Sequence, residues 1–163
     1  MDQRLYELAV QVGIALKARA LTLATAESCT GGWIGTAVTA VPGSSEWYER
    51  GFITYTNVAK QEMLGVAIDT LEKFGAVSEQ TVKAMVVGAL ARSHAQVAVA
   101  VSGVAGPAGG TPAKPVGTVC IAWGKSAGEP IAETRHFAGD REAVRKESVE
   151  RALAGVLVLL NNT

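Results

Sequence analysis

The chain predicts an α/β domain in which a mixed β-sheet is flanked by helices on both faces. Three observations carry that expectation. Segments patterned as strands alternate with segments of helical spacing along most of the sequence. Val97 to Val101 is an unbroken apolar run of valine and alanine, the pattern of a strand buried on both faces. Val116 to Trp123 and Ile131 to Phe137 read as two strands joined by Lys125 to Glu129, close enough in sequence for a hairpin, which makes the sheet mixed.

The elements follow in order. Gln3 to Arg19 places Leu5, Leu8, Val12 and Leu16 at helical spacing with Ala9 and Ala15 beside them, so a first helix should lie against the sheet. Leu21 to Ala26 reads as a short strand. Trp33 to Val41 carries an apolar helical stripe that Pro42 and Gly43 close. Glu49 to Thr56 holds Phe52, Ile53 and Tyr55 and reads as a second strand ending near Asn57, with a short helix over Val58 to Leu64 after it. Ser78 is placed to cap a helix through Val82, Met85, Val86, Ala89 and Leu90 that ends close to His94. Asp140 caps a long last helix through Val144, Val149, Leu153, Val156, Leu157 and Leu160. At 163 residues the chain fits one domain over 1–163, and it shows no internal repeat, charged tail or low-complexity linker.

Charge narrows the partners. Lysine plus arginine and aspartate plus glutamate number 15 each, so the chain lacks the basic excess that binding to a nucleic-acid backbone requires. A small molecule is the expected partner and nucleic acid is not. No apolar run approaches the roughly 20 residues that span a bilayer, and Met1-Asp2-Gln3-Arg4 leads into an amphipathic helix instead of a signal peptide. No membrane partner is expected, and the expected location is the cytoplasm. Cys29 and Cys120 form no metal-type pair and fall in segments that look buried, which predicts reduced thiols and no metal.

The most informative segment is Ala24-Thr25-Ala26-Glu27-Ser28-Cys29-Thr30-Gly31-Gly32, where a strand pattern breaks into small hydroxyl and glycine residues before a helix begins. A nucleophile at Ser28 would sit at a strand-to-helix turn. Backbone amides of Thr30, Gly31 and Gly32 would be available there to a phosphate or to the oxyanion of an attacked carbonyl. The plainer reading is that Ser28 or Thr30 only caps the helix. Cys29 competes as nucleophile, because a thiolate at a helix start is activated. Adjacent positions diverge by roughly 100° of rotation, so if Ser28 faces a site then Cys29 faces the core.

A second unusual stretch follows the central strand, from Ser102-Gly103-Val104-Ala105-Gly106-Pro107 through Gly109-Gly110 to Lys114-Pro115-Val116-Gly117. Its glycines mark backbone that approaches something closely, but it matches neither the P-loop nor the dinucleotide fingerprint. A nest for one phosphate or carboxylate and a plain flexible connection are both open readings. Between the two stretches, Tyr55 at the strand end and Lys60 one turn into the next helix could face the same point. A desolvated lysine there would serve as a base, whereas the plainer readings are strand packing and a solvated helix face. His94 and His136 end their elements without a nearby acidic partner. Asp140, Arg141, Arg145 and Lys146 could supply charge to an anionic ligand or simply form a solvated face.

Together these segments resemble the CinA C-terminal domain family along nearly the whole chain. The resemblance rests on Ala26-Glu27-Ser28-Cys29-Thr30-Gly31-Gly32, Pro42-Gly43-Ser44-Ser45, Gly51-Phe52-Ile53-Thr54-Tyr55 with Asn57 and Lys60, Ser102 to Pro107 with Gly109-Gly110, and Lys114 to Val119. It implies pyridine nucleotide salvage: hydrolysis of the carboxamide of nicotinamide mononucleotide to nicotinate mononucleotide and ammonia, with Ser28 as nucleophile, Tyr55 and Lys60 as its partners, and no cofactor. Larger relatives carry an N-terminal domain whose activities are not carried over. The substrate contacts expected are Thr30, Gly31 and Gly32 at the turn and Ser102, Gly103, Gly106, Gly109 and Gly110 in the glycine loop. Two other classes stay open, a non-catalytic pyridine-nucleotide-binding module and an accessory protein that assembles as a homo-oligomer.

Overall fold

Asp2, Thr56, Ser78 and Asp140 each start a helix in the same way, a side-chain oxygen accepting the amide three residues on, from Leu5, Ala59, Thr81 and Ala143. The structure, a computed structural model, describes residues 1–162. Among these the helices are α1 Gln3–Ala18, α2 Trp33–Thr39, α3 Asn57–Leu64, α4 Ile68–Phe74, α5 Glu79–Ala91 and α6 Arg141–Asn161. The strands are β1 Leu23–Glu27, β2 Tyr48–Ile53, β3 Val97–Gly103, β4 Thr118–Lys125 and β5 Ile131–His136, with a 3₁₀ turn at Ser44–Glu46. No helix among the described residues is long and apolar enough to cross a membrane.

The sheet runs β2-β1-β3-β4-β5. β1 pairs in parallel with both β2 and β3, while β4 and β5 are antiparallel additions, so the sheet is mixed as expected. β3 shows why. Val97, Val99 and Val101 join the core under α1, α2 and α6, and the intervening Ala98 and Ala100 join the core under α3, α4 and α5. Both faces are covered, so a strand buried on both sides is apolar at every position. The alanines on one face, with Ala24, Ala26 and Ala122, give Met85 and Val86 of α5 room to approach the sheet.

Several boundaries differ from the sequence reading, each for a local reason. β1 begins at Leu23 because the Leu21 amide still closes α1, donating to the Leu16 carbonyl at 3.0 Å. β2 ends at Ile53, so Tyr55 lies beyond the strand. β4 begins at Thr118 because Gly117 turns away, its amide donating to the Val104 carbonyl at 2.8 Å. α4 was not expected at all, since a helix of seven residues presents only Leu71 to the core as a buried side chain.

Candidate active site

The order of the strands sets the place. The chain leaves β1 toward β2 on one side of it and reaches β3 on the other, so the C-terminal ends of β1 and β3 flank the point where chain order reverses, where open α/β sheets bind ligands. Ser28 follows β1 directly, and its amide donates to the Val101 carbonyl of β3 at 3.0 Å. A cleft of about 290 Å³ opens there. It brings together Ser28, Tyr55, Lys60, Arg141 and the glycine loop at Ser102, Gly103, Gly106 and Gly109.

Lys60 is the most unusual residue of the site. It lies one turn into α3, is 1% exposed, and places Nζ 3.0 Å from the Ser28 Oγ. Nζ also donates to the Thr54 carbonyl at 3.0 Å and to the Tyr55 carbonyl at 3.5 Å. Burial without a facing carboxylate penalises the ammonium form, which holds its pKa below the ordinary lysine value of 10.5. A neutral amine with its two N–H groups turned to carbonyls presents its lone pair to the serine hydroxyl. That arrangement can take a proton from Ser28.

Burial disarms the competing nucleophile. Cys29 is 6% exposed and packs into the core under α2 and α6, and desolvation pushes its thiol up to about 12. It stays a thiol near neutrality; Ser28 Oγ meets Lys60 Nζ in the cleft, while Cys29 packs into the core and also borders the cleft.

The start of α2 is arranged otherwise than the sequence suggested. Glu27, 2% exposed, turns its carboxyl group under the helix and accepts from Thr30 Oγ1 at 2.6 Å, Ile34 N at 2.9 Å and Gly35 N at 3.1 Å. Gly31 N donates to the Ser28 carbonyl at 3.0 Å, and Gly32 takes φ +100° as the helix begins. Thr30, Gly31 and Gly32 therefore shape the turn from within, and none of the three lines the cleft. Arg145 of α6 fixes the same turn from outside, donating to the carbonyls of Cys29 at 3.0 Å and Thr30 at 3.2 Å. Glu27 had no assigned role at the site in the sequence reading, and Arg145 was offered there only as charge for an anionic ligand or as part of a solvated face. The only signal was an acid just before the candidate nucleophile.

Tyr55 contributes two groups to different places. Its carbonyl lies within reach of Ser28 and Lys60, and its exposed phenol accepts from Arg141 Nη2 at 3.0 Å at the mouth of the cleft. Arg141 also donates through Nη1 to the Gly106 carbonyl at 2.7 Å. Gly106 takes φ +84°, and a Cβ there would collide with Val116. The loop turns tightly at Gly106 because glycine alone has that freedom. Gly110 packs against the Val116 backbone away from the cleft, and His94 and His136 lie outside it. Among the described residues no cluster of three or more His, Cys, Asp or Glu side chains is placed to hold a metal ion.

Comparison with known proteins agrees with this architecture. The model of the CinA C-terminal domain family matches residues 5–160. The chain is 52% identical over 152 residues to the nicotinamide-nucleotide amidohydrolase PncC of Escherichia coli (strain K12), covering 93% of this chain and 92% of that protein. It is 54% identical over 152 residues to the protein of the same name from Pseudomonas putida, covering 93% and 94%. The crystal structure of the competence/damage inducible protein CihA from Agrobacterium tumefaciens superimposes with a TM-score of 0.94 at 45% identity, covering 99% of this chain and 98% of that one. The chain belongs to the CinA C-terminal domain family.

Proposed function

We propose that this chain hydrolyses the carboxamide of nicotinamide mononucleotide to nicotinate mononucleotide and ammonia. The observation that carries this reading is the buried Lys60 Nζ at 3.0 Å from Ser28 Oγ at the base of a cleft. The amidohydrolase names of relatives that align over nearly their full length support the substrate.

Lys60 takes the Ser28 proton as Oγ attacks the amide carbon, and the resulting Lys60 ammonium returns that proton to the departing nitrogen. The C–N bond breaks, ammonia leaves and an ester to Ser28 remains. Water then attacks the ester with Lys60 again as base, which releases the nicotinate product and restores the serine. The Gly31 amide is already committed to the Ser28 carbonyl and Thr30 lies inside the turn, so neither is assigned as the oxyanion donor. Tyr55 assists by orienting Lys60 through its carbonyl, and the loop amides from Ser102 to Gly109 approach the ribose and phosphate. The cytoplasm is the compartment that suits this reading, since Cys29 and Cys120 are both free thiols.

The test is release of ammonia and nicotinate mononucleotide from nicotinamide mononucleotide. Ser28→Ala should lower turnover by about 10⁴-fold or more while nucleotide binding survives, and Cys29→Ala should retain most of the rate. Binding without turnover in the unaltered protein would favour a sensing module. Near-normal rates in Ser28→Ala would remove serine from the mechanism.

A further inference from the structure

The geometry points to Arg141 as the residue that reads the substrate's phosphate, fixing the nucleotide with its carboxamide deep in the cleft and its phosphate at the mouth. This rests on the amidase reading given above. Ser28 and Lys60 lie at the base, 7% and 1% exposed, so the scissile amide must go inward and the far end of the nucleotide outward. Lys60 and Arg141 are the basic side chains among the described residues that line the cleft, and no carboxylate does. Lys60 is buried at the base with its N–H groups turned to the Thr54 and Tyr55 carbonyls, which leaves Arg141 to meet a dianion at the mouth.

The guanidinium is already aimed. Gly106 O and Tyr55 OH hold one N–H on each terminal nitrogen, at 2.7 and 3.0 Å. Of the five donors of an arginine, three remain, in the fork geometry that matches phosphate oxygens. The same two contacts join the glycine loop to Tyr55, so phosphate binding at Arg141 would set both cleft walls around the ribose. At about 290 Å³ the cleft is at the lower end of ligand cavities, roughly 300–1,000 Å³, and suits a mononucleotide better than a dinucleotide.

One rival place for the phosphate exists. A cavity of about 560 Å³ lies beyond Val77, which borders both spaces, and Lys73, Lys114 and His136 line it. Lys114 Nζ already donates to the Phe74 carbonyl at 2.7 Å, and Lys73 Nζ lies 5.3 Å from the Phe74 ring centre, so both amines have partners. Glu79 also borders that cavity, whereas no carboxylate borders the cleft at Arg141, and this favours Arg141.

The experiment compares kcat/KM for nicotinamide mononucleotide and nicotinamide riboside, which share the scissile amide, in the unaltered protein and in Arg141→Gln, Arg141→Lys and Lys114→Met. Binding of both compounds to Ser28→Ala, with and without Arg141→Gln, is measured by calorimetry. The unaltered protein should prefer the mononucleotide, and Arg141→Gln should shrink that preference by roughly ten- to a hundredfold. Arg141→Lys should restore part of it, because a charge returns without the fork, and Lys114→Met should leave it in place. A purely structural Arg141 would slow both substrates alike, and a preference that survives Arg141→Gln overturns the assignment. Loss of preference in Lys114→Met alone would move the phosphate beyond Val77. Absence of turnover on either amide would sink the amidase reading, while the calorimetric ratio still decides whether Arg141 reads phosphate.

Discussion

One physical effect acts on Lys60 and Cys29 with opposite chemical results. Desolvation disfavours the charged form of each, so it pulls the lysine toward its neutral amine and keeps the thiol protonated. In the proposed mechanism the same burial makes both a base and an inert neighbour. The consequence for pH has a definite sign. Neutral Lys60 is the active form in the proposed mechanism, so kcat/KM should fall as pH drops through its lowered pKa. The unfolded chain holds that proton up to the ordinary value of 10.5, and between the two values it binds more protons than the fold does. Stability contributed by this site therefore rises with pH across that window and is lowest below it. Lys60→Met keeps most of the bulk and removes the titrating amine. Its rate should fall by about 10³-fold or more, and the Tm of the unaltered protein should gain on that of the variant as pH rises from the lowered Lys60 pKa to the ordinary lysine value of 10.5. A Tm difference that stays flat over that range, with activity retained, would show that Lys60 is an ordinary charged lysine.

Among the elements, β3 and α6 were legible because period and composition leave them one role each. Five alternating valines and alanines have to be a strand covered on both faces, and the repeat from Val144 to Leu160 is a helix stripe that Asp140 starts. The Ser28 turn was legible for a similar reason, since a strand that breaks into small residues ahead of a helix leaves few alternatives. What could not be read is what depends on the fold closing. α4 has too little apolar surface to announce itself, and the placement of Tyr55 past the end of β2 follows from a boundary two residues away. Glu27 is the clearest case. The residue before α2 is Gly32, which has no side chain to cap the helix, and the cap comes instead from the last residue of β1. No local capping spacing links Glu27 to Ile34 and Gly35. Glu27→Gln should replace one accepting oxygen with a donor that faces a donor, at a cost of about 1–3 kcal/mol. Urea unfolding should show the loss, and turnover should fall with it because Thr30 Oγ1 shares the same carboxyl group. An unchanged unfolding midpoint would mean that α2 does not depend on Glu27.

At the scale of the whole molecule, α6 joins the cleft to the core. Its first turns bring Arg141 and Arg145 to the site, and its later turns bury Ala152, Leu153, Gly155, Val156 and Leu160. At Gly155 the helix meets the Trp123 indole of β4 so closely that a Cβ would collide with the ring. Trp123 has little room to yield, since its Nε1 donates to the Ala152 carbonyl at 2.9 Å and the Arg151 guanidinium lies 5.2 Å from its ring centre. Gly155→Ala therefore sets two effects against each other. Replacing a helical glycine with alanine gains about 1 kcal/mol of propensity, whereas forcing a methyl group into a filled contact costs about 1–3 kcal/mol. With the indole tied in two directions the cost should win, and the variant should unfold at lower urea with a net loss of up to about 2 kcal/mol. Residues 145 to 155 span about 15 Å of helix, so turnover of the folded variant on nicotinamide mononucleotide should match that of the unaltered protein. A variant more stable than the parent would show that Trp123 tilts aside freely and that helix propensity, not packing, limits α6 at this position.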